Sequence, residues 1–348
     1  MTTLSCLKRL GIAAPAALAC LSSPAFAQSS VQLYGLLDAG IGSFQLSGAV
    51  RDTRLESGQM TTSYWGIKGE EDLGGGFAAV FAFESFLRPD TGDSGRFPND
   101  PFLSRNANVG IRGGFGTVRL GRATTPLFVS TLLYNPFGDS FGFSPSIRSF
   151  FGATGKVAGD TGWSNAITYS APRIAGFSTT IQLALGEGDV SGESLGASIA
   201  YGSGPLGLSL AIQQVKATFA SGDETTWQLG ASYNLGLAKA FFQYGQVDEG
   251  ATSTIAGTPP AAVASRTALT KDKIAQVGAS IPLAGGSILA SFAMADTSGA
   301  FDTSRDVLSI GYDHNLSKRT DAYAVVMSDK QESSSRGNTF AVGMRHRF

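Results

Sequence analysis

Apolar and polar residues alternate one for one through most of this chain. In the closing segment Phe340, Val342, Met344, His346 and Phe348 share one face, and Thr339, Ala341, Gly343, Arg345 and Arg347 share the other. Around Trp227, the residues Trp227, Leu229, Ala231 and Tyr233 alternate with Thr226, Gln228, Gly230 and Ser232. Trp65 and Ile67 oppose Tyr64, Gly66, Lys68 and Glu70, and Phe77, Ala79, Phe81 and Phe83 oppose Glu84. A period of two predicts strands with one oily and one wet face. Almost no segment sustains a helical period.

The connectors between these segments alternate in length. Short ones run over 71–76, 113–116, 172–176, 204–207, 234–237, 282–286 and 315–319. Long polar ones run over 47–60, 89–103, 123–162, 187–193, 216–224, 248–270, 297–304 and 329–337. Together they separate about sixteen strands, the even number of a bacterial single-chain transmembrane barrel. No mature segment is apolar for long enough to form a spanning helix. A bilayer can also be crossed by a closed barrel, whose backbone groups all pair between strands. The prediction is therefore an all-β, transmembrane antiparallel β-barrel with short periplasmic turns and long extracellular loops. A secreted sandwich or adhesin would also alternate, but it has no need of connectors that are short and long in turn.

Composition sharpens this picture. Of 348 residues, 45 are glycine and only 15% are charged, a balance too rich in Gly and too poor in charge for an average cytosolic enzyme. Residues 1–27 read as a signal peptide: Lys8 and Arg9 begin it, Leu10 to Leu21 form its apolar stretch, and Ala25-Phe26-Ala27 is a small-x-small cleavage site. The mature domain would then be 28–348. A lipoprotein signal modified at Cys20 is the competing reading, which the position of the Ala25-Phe26-Ala27 site disfavours. Both cysteines, Cys6 and Cys20, fall in the removed segment, which excludes disulfides and thiol chemistry from the mature chain. Without Lys8 and Arg9, the 26 basic residues fall to 24 against 27 acidic ones, a net charge of −3 that points to no nucleic-acid partner.

Several segments resemble the Gram-negative general porins, specifically the trimeric sixteen-stranded type of β-proteobacteria. Val31-Gln32-Leu33-Tyr34-Gly35-Leu36-Leu37-Asp38 is similar to that family's first strand. The run from Gly66-Ile67-Lys68-Gly69-Glu70-Glu71 to Asp72-Leu73-Gly74-Gly75-Gly76 is similar to its second strand and first periplasmic turn. Asn108-Val109-Gly110-Ile111, Gly116-Thr117-Val118-Arg119-Leu120-Gly121-Arg122 and Val342-Gly343-Met344-Arg345-His346-Arg347-Phe348 follow in the family's order. The resemblance implies a water-filled pore narrowed by an inward-folded third loop, with three barrels per molecule. It implies as partners further copies in a homotrimer, outer-membrane lipid and lipopolysaccharide, and the barrel-assembly machinery, which reads the terminal Phe348. The longest connector, 123–162, carries Asn135-Pro136-Phe137-Gly138-Asp139, similar to the family's Asp-Pro-Phe-Gly segment with Asn135 in place of the acid. Gly162 stands where relatives often carry a wall arginine.

The chemistry expected of such a pore lies in its charges. Between Pro101 and Gly138 there is no Asp or Glu, yet Arg105, Arg112, Arg119 and Arg122 occur. Val118 and Leu120 should face lipid, so Arg119 faces the lumen; Arg112 and Lys68 are lumenal by the same parity. Arg105 and Arg122 sit at strand ends, where bulges can reset the alternation. The candidate constriction is a basic arc of Lys68, Arg105, Arg112, Arg119 and Arg122 facing Asp139 and Asp160 on the loop. Asp38 and Glu84 are wall carboxylates with which some of these arginines would pair instead. A cationic wall favours anions.

Passive diffusion of small hydrophilic solutes and ions is thus the expected function. A channel tuned to small organic acids or phosphate is the alternative within transport. An outer-membrane enzyme would need an activated nucleophile or a carboxylate set with its base. Only His314 and His346 could serve as histidine bases, Glu70-Glu71-Asp72 reads as a solvated turn, and no catalytic residue, metal ligand or cofactor is assigned. Aromatic residues near strand ends, namely Tyr34, Trp65, Tyr169, Trp227, Tyr233, Tyr244 and Tyr323, fit interfacial girdles, although some could instead line the pore.

Overall fold

The alternation closes into a single antiparallel barrel. The computed structural model describes residues 30–152, 156–186, 191–217, 223–248 and 270–348. The export segment expected at 1–27 lies outside them, as do most of the connectors expected at 187–193, 216–224 and 248–270. The first strands are β1 (Ser30–Phe44), β2 (Asp52–Ser57), β3 (Tyr64–Gly74), β4 (Phe77–Arg88), β5 (Asp93–Ser94), β6 (Asn106–Gly113) and β7 (Gly116–Thr124). After two helices come β8 (Gly162–Ser170), β9 (Phe177–Ala184), β10 (Ser191–Ser203), β11 (Leu206–Ala217), β12 (Glu224–Asn234) and β13 (Lys239–Asp248). The chain ends with β14 (Thr270–Leu283), β15 (Gly286–Gly299), β16 (Thr303–Asn315), β17 (Thr320–Gln331) and β18 (Gly337–Arg347).

Sixteen of these eighteen strands build the wall; β2 and β5 belong to the first two long loops. The strand β2 continues the edge pairing of β1 from Ala39↔Ser57 to Phe44↔Asp52, beyond the Ser30↔Glu70 to Leu36↔Tyr64 ladder with β3. On its other edge β1 pairs with β18 from Leu36↔Arg347 to Ser43↔Phe340, so the described wall strands close into a cylinder. The ends of this seam are fastened by Phe348, whose backbone exchanges hydrogen bonds with Gly35 at 3.1 and 3.2 Å.

The seven short connectors appear as tight turns between the predicted strands. One long connector is corrected: β15 and β16 stay paired to Thr297↔Thr303, which leaves only residues 300–302 where a loop over 297–304 was expected. Polar residues at the ends of paired strands hid this extension, because a strand beyond the bilayer need not keep an apolar face.

Outward side chains carry the oily half of the pattern: Phe340, Met344, Leu229, Val109 and Leu120 are exposed on the barrel's exterior. Their inward neighbours Thr339, Ala341, Thr226 and Gln228 are buried. Two of the expected girdle aromatics, Tyr34 and Tyr323, point inward: the Tyr34 hydroxyl donates to Glu84, and that of Tyr323 donates to Asp38 at 2.7 Å. Tyr323 shares its strand parity with Asp321 and Asp329, which is the signal that places it inside.

Between β7 and β8 the chain turns into the barrel. Helix α1 (Pro126–Leu133) is capped by Thr125, whose side chain accepts from the Phe128 N–H. Helix α2 (Pro145–Phe150) is capped in the same way by Ser144, which accepts from the Ile147 N–H. Proline stands first in each helix, where it has no hydrogen bond to lose. These helices are absent from the periodicity reading because each spans about two turns at most.

The inward segment is held chiefly by apolar burial. Leu127, Phe128, Ile147, Phe150, Phe151 and Val157 pack against Ala211, Val247, Ile274 and Ala295 of the wall. Phe137 and Phe143 join Phe44, Met60, Leu289, Tyr323, Val325 and Ala341 in a second cluster. Each fully buried Phe or Leu contributes roughly 1.5–3 kcal/mol. Inward glycines make room for the segment. A Cβ on Gly230 would stand 2.6 Å from the Tyr134 ring, one on Gly245 2.9 Å from Phe150, and one on Gly278 2.7 Å from Pro136.

Candidate functional site

The interior has two unlike sides. Helix α1 packs on β9–β12 and α2 on β14–β16. Polar latches supplement that packing. Gln228 and Gln243 donate to the Thr131 hydroxyl and carbonyl at 2.9 and 2.7 Å, and both oxygens of Glu224 accept from the Ala158 N–H. Lys156 reaches Asp272 at 2.9 Å, with the carboxylate fully buried. The tip of the segment is tied to the first loop, where the Gln59 carbonyl accepts from the Ser140 hydroxyl at 2.6 Å and the Gly142 N–H at 3.0 Å. Arg148 is buried near Asp329, and burial pushes its guanidinium down to about 10, so it stays charged at neutral pH.

The opposite side, β3 to β7, carries the basic residues. Lys68 is exposed, with its ammonium 4.6 Å from the Tyr34 ring centre, and has no carboxylate partner among the described residues. Arg119, half-buried, has none either. Arg112 pairs with Glu70, both well exposed. Arg105 pairs with Glu84 and lies 3.9 Å over the Tyr64 ring; Glu84 also accepts from Asn106 and Tyr34. Arg122 donates to the Ser104 carbonyl at 2.5 Å and pairs with Asp160.

Arg122 is aimed by local backbone. The register between β7 and β8 shifts between Gly121 and Ala123, a bulge that sets Ser164 and Asn165 opposite Arg122 alone. Gly121 has φ +117°, and a Cβ there would stand 2.3 Å from the Ala107 carbonyl oxygen, so only glycine fits.

The five cations do not form one ring. From Arg105, just before β6, to Arg112 the chain extends seven residues, about 23 Å at a strand's rise. Arg105 and Arg122 lie at the long-loop end, Lys68 lies deeper, and Arg119 and Arg112 lie near the short turns. The wall is therefore a staircase of positive charge.

The candidate acids occupy three different settings. Asp38 is fully buried in β1, accepting from the Met60 and Thr61 N–H groups at 2.7 Å each and from Tyr323, so it closes the neck of the first loop and does not face water. Asp160 receives Arg96 in bidentate fashion at 2.6 and 2.9 Å and Arg122 besides. Burial alone would raise its carboxyl, but the two guanidinium groups hold it below the ordinary range. Asp139, half-buried on the inward segment, is pushed above that range by desolvation, with Arg105 and Arg345 pulling it back. Asn135 is no rim group: its amide donates to the Thr131 and Gly138 carbonyls and accepts from the Phe137 N–H, knotting the turn after α1.

Further cations belong to this interior, Arg305 and Arg347 among them, paired with Asp329 and Asp321. Arg96, from the second long loop, also pairs with Asp100 at 2.9 Å. Arg345 pairs with Asp313 and, at 2.7 Å, with Asp321, and it donates to Thr61 at 3.0 Å. No alternation extends to residue 96, so the sequence held no signal for it. Arg345 was legible as lumenal from its strand parity. Among the described residues no cluster of His, Cys, Asp and Glu could hold a metal ion.

Comparisons with known proteins agree with this geometry. Residues 13–334 match the family model for Gram-negative porins. Outer membrane porin protein 32 of Delftia acidovorans is 32% identical over 329 residues, covering 90% of this chain and 88% of that one. An outer membrane porin protein of Bordetella pertussis is 28% identical, covering 96% and 98%. Among solved structures, an anion-selective porin from Comamonas acidovorans superposes with a TM-score of 0.78 at 28% identity, over 92% of this chain and all of that one.

Proposed function

Because this chain belongs to the Gram-negative porin family and is a multi-pass outer-membrane channel, we propose that its pore passes small hydrophilic solutes and ions with a preference for anions. The preference arises from the side of the lumen that the inward segment leaves open. The observation that carries this reading is the charge balance of that side, where Lys68 and Arg119 have no neutralising carboxylate among the described residues, Arg105 and Arg112 each pair with one, and Arg122 shares Asp160 with Arg96. The low-dielectric wall strengthens each uncompensated charge relative to bulk water, so a net-acidic chain can still present a cationic path. The narrowest passage is assigned to the gap between Asp139 on the inward segment and Arg105 on the wall, with Asp160 and Glu84 holding the guanidinium groups in place.

The active form is read as a homotrimer, inserted by the barrel-assembly machinery through Phe348 after removal of residues 1–27. The relative from Comamonas named anion-selective supports the sign of the preference. Transport is passive, and the reading assigns the protein no catalysis. Planar-bilayer recording of the purified protein tests it: conductance steps in threes and a zero-current potential of anionic sign in a KCl gradient are the expected results. Cation preference would refute the reading, and a current that saturates with an organic acid or phosphate would narrow it to a solute-specific channel. Amino-terminal sequencing of protein taken from outer membranes should begin at Gln28.

A further inference from the structure

Helix α1 carries apolar side chains on both of its faces. Leu127, Phe128, Ser130 and Thr131 are buried toward the wall strands β9–β12, as a seated helix requires. Val129 and Leu133, one turn apart, point the opposite way, and they are 38% and 53% exposed. Inside a closed barrel that way is the pore. Leu132 and Phe141 are half-buried on the same segment, with the Phe141 ring stacked on Phe128 at 6.0 Å between centres. A face that only had to meet water would carry polar or charged residues. Between Arg122 and Asp139 the chain has no charged residue at all.

This exposed strip lies at the depth of the open wall's cations. At the head of α1, Arg122 closely precedes the cap Thr125. At its foot the Ser130 hydroxyl lies 2.7 Å from that of Ser209, and the Tyr134 hydroxyl donates to the Leu208 carbonyl at 2.8 Å. Ser209 stands as far into β11 from the short turn before Leu206 as Arg119 stands into β7 from the short turn before Gly116. The helix thus descends from the level of Arg122 to that of Arg119, about 10 Å of strand. A solute passing between them meets aliphatic carbon on one side. On the other it meets Arg119 and Lys68, which have no carboxylate partner among the described residues. An anion that is polar all round gains only from the cations, whereas one with an apolar body also takes Val129 and Leu133 out of water. Resting on the anion preference proposed above, we infer that the pore favours amphiphilic carboxylates, small anions with a compact aromatic, cyclic or branched hydrocarbon body. The carboxylate meets Arg119 and Lys68, and the hydrocarbon body lies on Val129 and Leu133.

Planar-bilayer recording in KCl with competing solutes tests this. Cyclohexanecarboxylate is the probe, quinate carries hydroxyl groups on the same carboxylated ring, and cyclohexanemethanol is the uncharged counterpart. Cyclohexanecarboxylate should halve the chloride current at a concentration about fivefold or more below that of quinate. Burying one methylene is worth about fourfold in a binding constant, and a ring laid across two aliphatic side chains covers more than one. Val129→Ser with Leu133→Ser should bring the two acids within about twofold of each other, the quinate value in the same variant serving as its reference. Leu133→Met, which keeps the face apolar, should retain the preference. Equal block by the two acids in the wild type would overturn the inference, as would a preference that survives in the serine pair or an alcohol as effective as the acid. A zero-current potential of cationic sign would remove the anion reading and this one with it, whereas an anionic potential with equal block removes this one alone.

Discussion

The two sides of the barrel's interior are built on the same alternating backbone and differ in what their inward positions hold. Strands β3 to β7 present Lys68, Arg112 and Arg119, whereas the stretch from β9 to β14 presents Gln182, Gln213, Gln228, Gln243 and Gln276 among Gly, Ser and Thr. Glycine lets the inward segment lie flush, and a neutral amide can donate to it without a buried charge to neutralise. A covered cation needs a buried counter-charge, as Lys156 has in Asp272, and the wall cations Lys68, Arg112 and Arg119 stay on the side that keeps its water. One inner face is a seat and the other is a channel wall. The alternation that makes a barrel is thus indifferent to function, and the division of labour lies in which polar residue fills the wet half of the pattern.

The contrast breaks most sharply if the seat is damaged. Lys156→Met would remove the ammonium that pairs with the fully buried Asp272 carboxylate beneath the inward segment, a carboxylate that the Thr297 hydroxyl also contacts. Removing one partner of a buried pair costs roughly 3–5 kcal/mol. The expected outcome is a lower unfolding temperature and a larger, noisier single-channel conductance; unchanged values in both would show that the latch carries no weight.

A smaller effect is expected from overfilling the seat. Gly278→Val would drive a branched side chain against Pro136, which already stands 2.7 Å from where a Cβ would be. Overpacking of this kind costs about 1–3 kcal/mol. Conductance should rise while ion selectivity keeps its sign, because the open wall is untouched.

Acidity separates the two loop carboxylates. Asp139 is pushed up by desolvation, so it binds its proton earlier, as pH falls, than it would on the unfolded chain. Its charge therefore costs stability above its folded pKa, and that cost is gone below the unfolded value. Asp160, held down by Arg96 and Arg122, contributes stability that is complete above its unfolded pKa and lost only as pH falls through the lower folded one. Anion preference should accordingly increase in one modest step as pH falls from neutrality into the upper carboxylate range. Asp139→Asn should remove that step, and a step that survives the substitution would assign it to another group.

Much of this was legible in the sequence. Alternation placed the wall strands and the lumenal faces of Lys68, Arg112, Arg119 and Arg345, and the seven short turns fell where Gly, Pro and Asn cluster. The Thr125-Pro126 and Ser144-Pro145 pairs are helix-start signals, but helices this short have no period to announce them. Partnership was not legible at all. Whether Arg105 faces water alone or leans on Glu84 depends on strands brought together by register, and Arg96 reaches Asp160 across 64 positions of chain. Asp38 looked like a wall charge, and only the folded first loop reveals it as a buried acceptor for Met60 and Thr61.

The central claim is that the uncompensated cations of the open wall set the ion preference. The zero-current potential across a planar bilayer in a KCl gradient, measured for the wild type and for Lys68→Gln with Arg119→Gln, tests it most directly. The wild type should prefer anions. In the double variant the anion-to-cation permeability ratio should fall by about fivefold, the factor given by roughly 1 kcal/mol for one close charge pair in water. A cation-selective wild type, or a double variant with an unchanged potential, would contradict it.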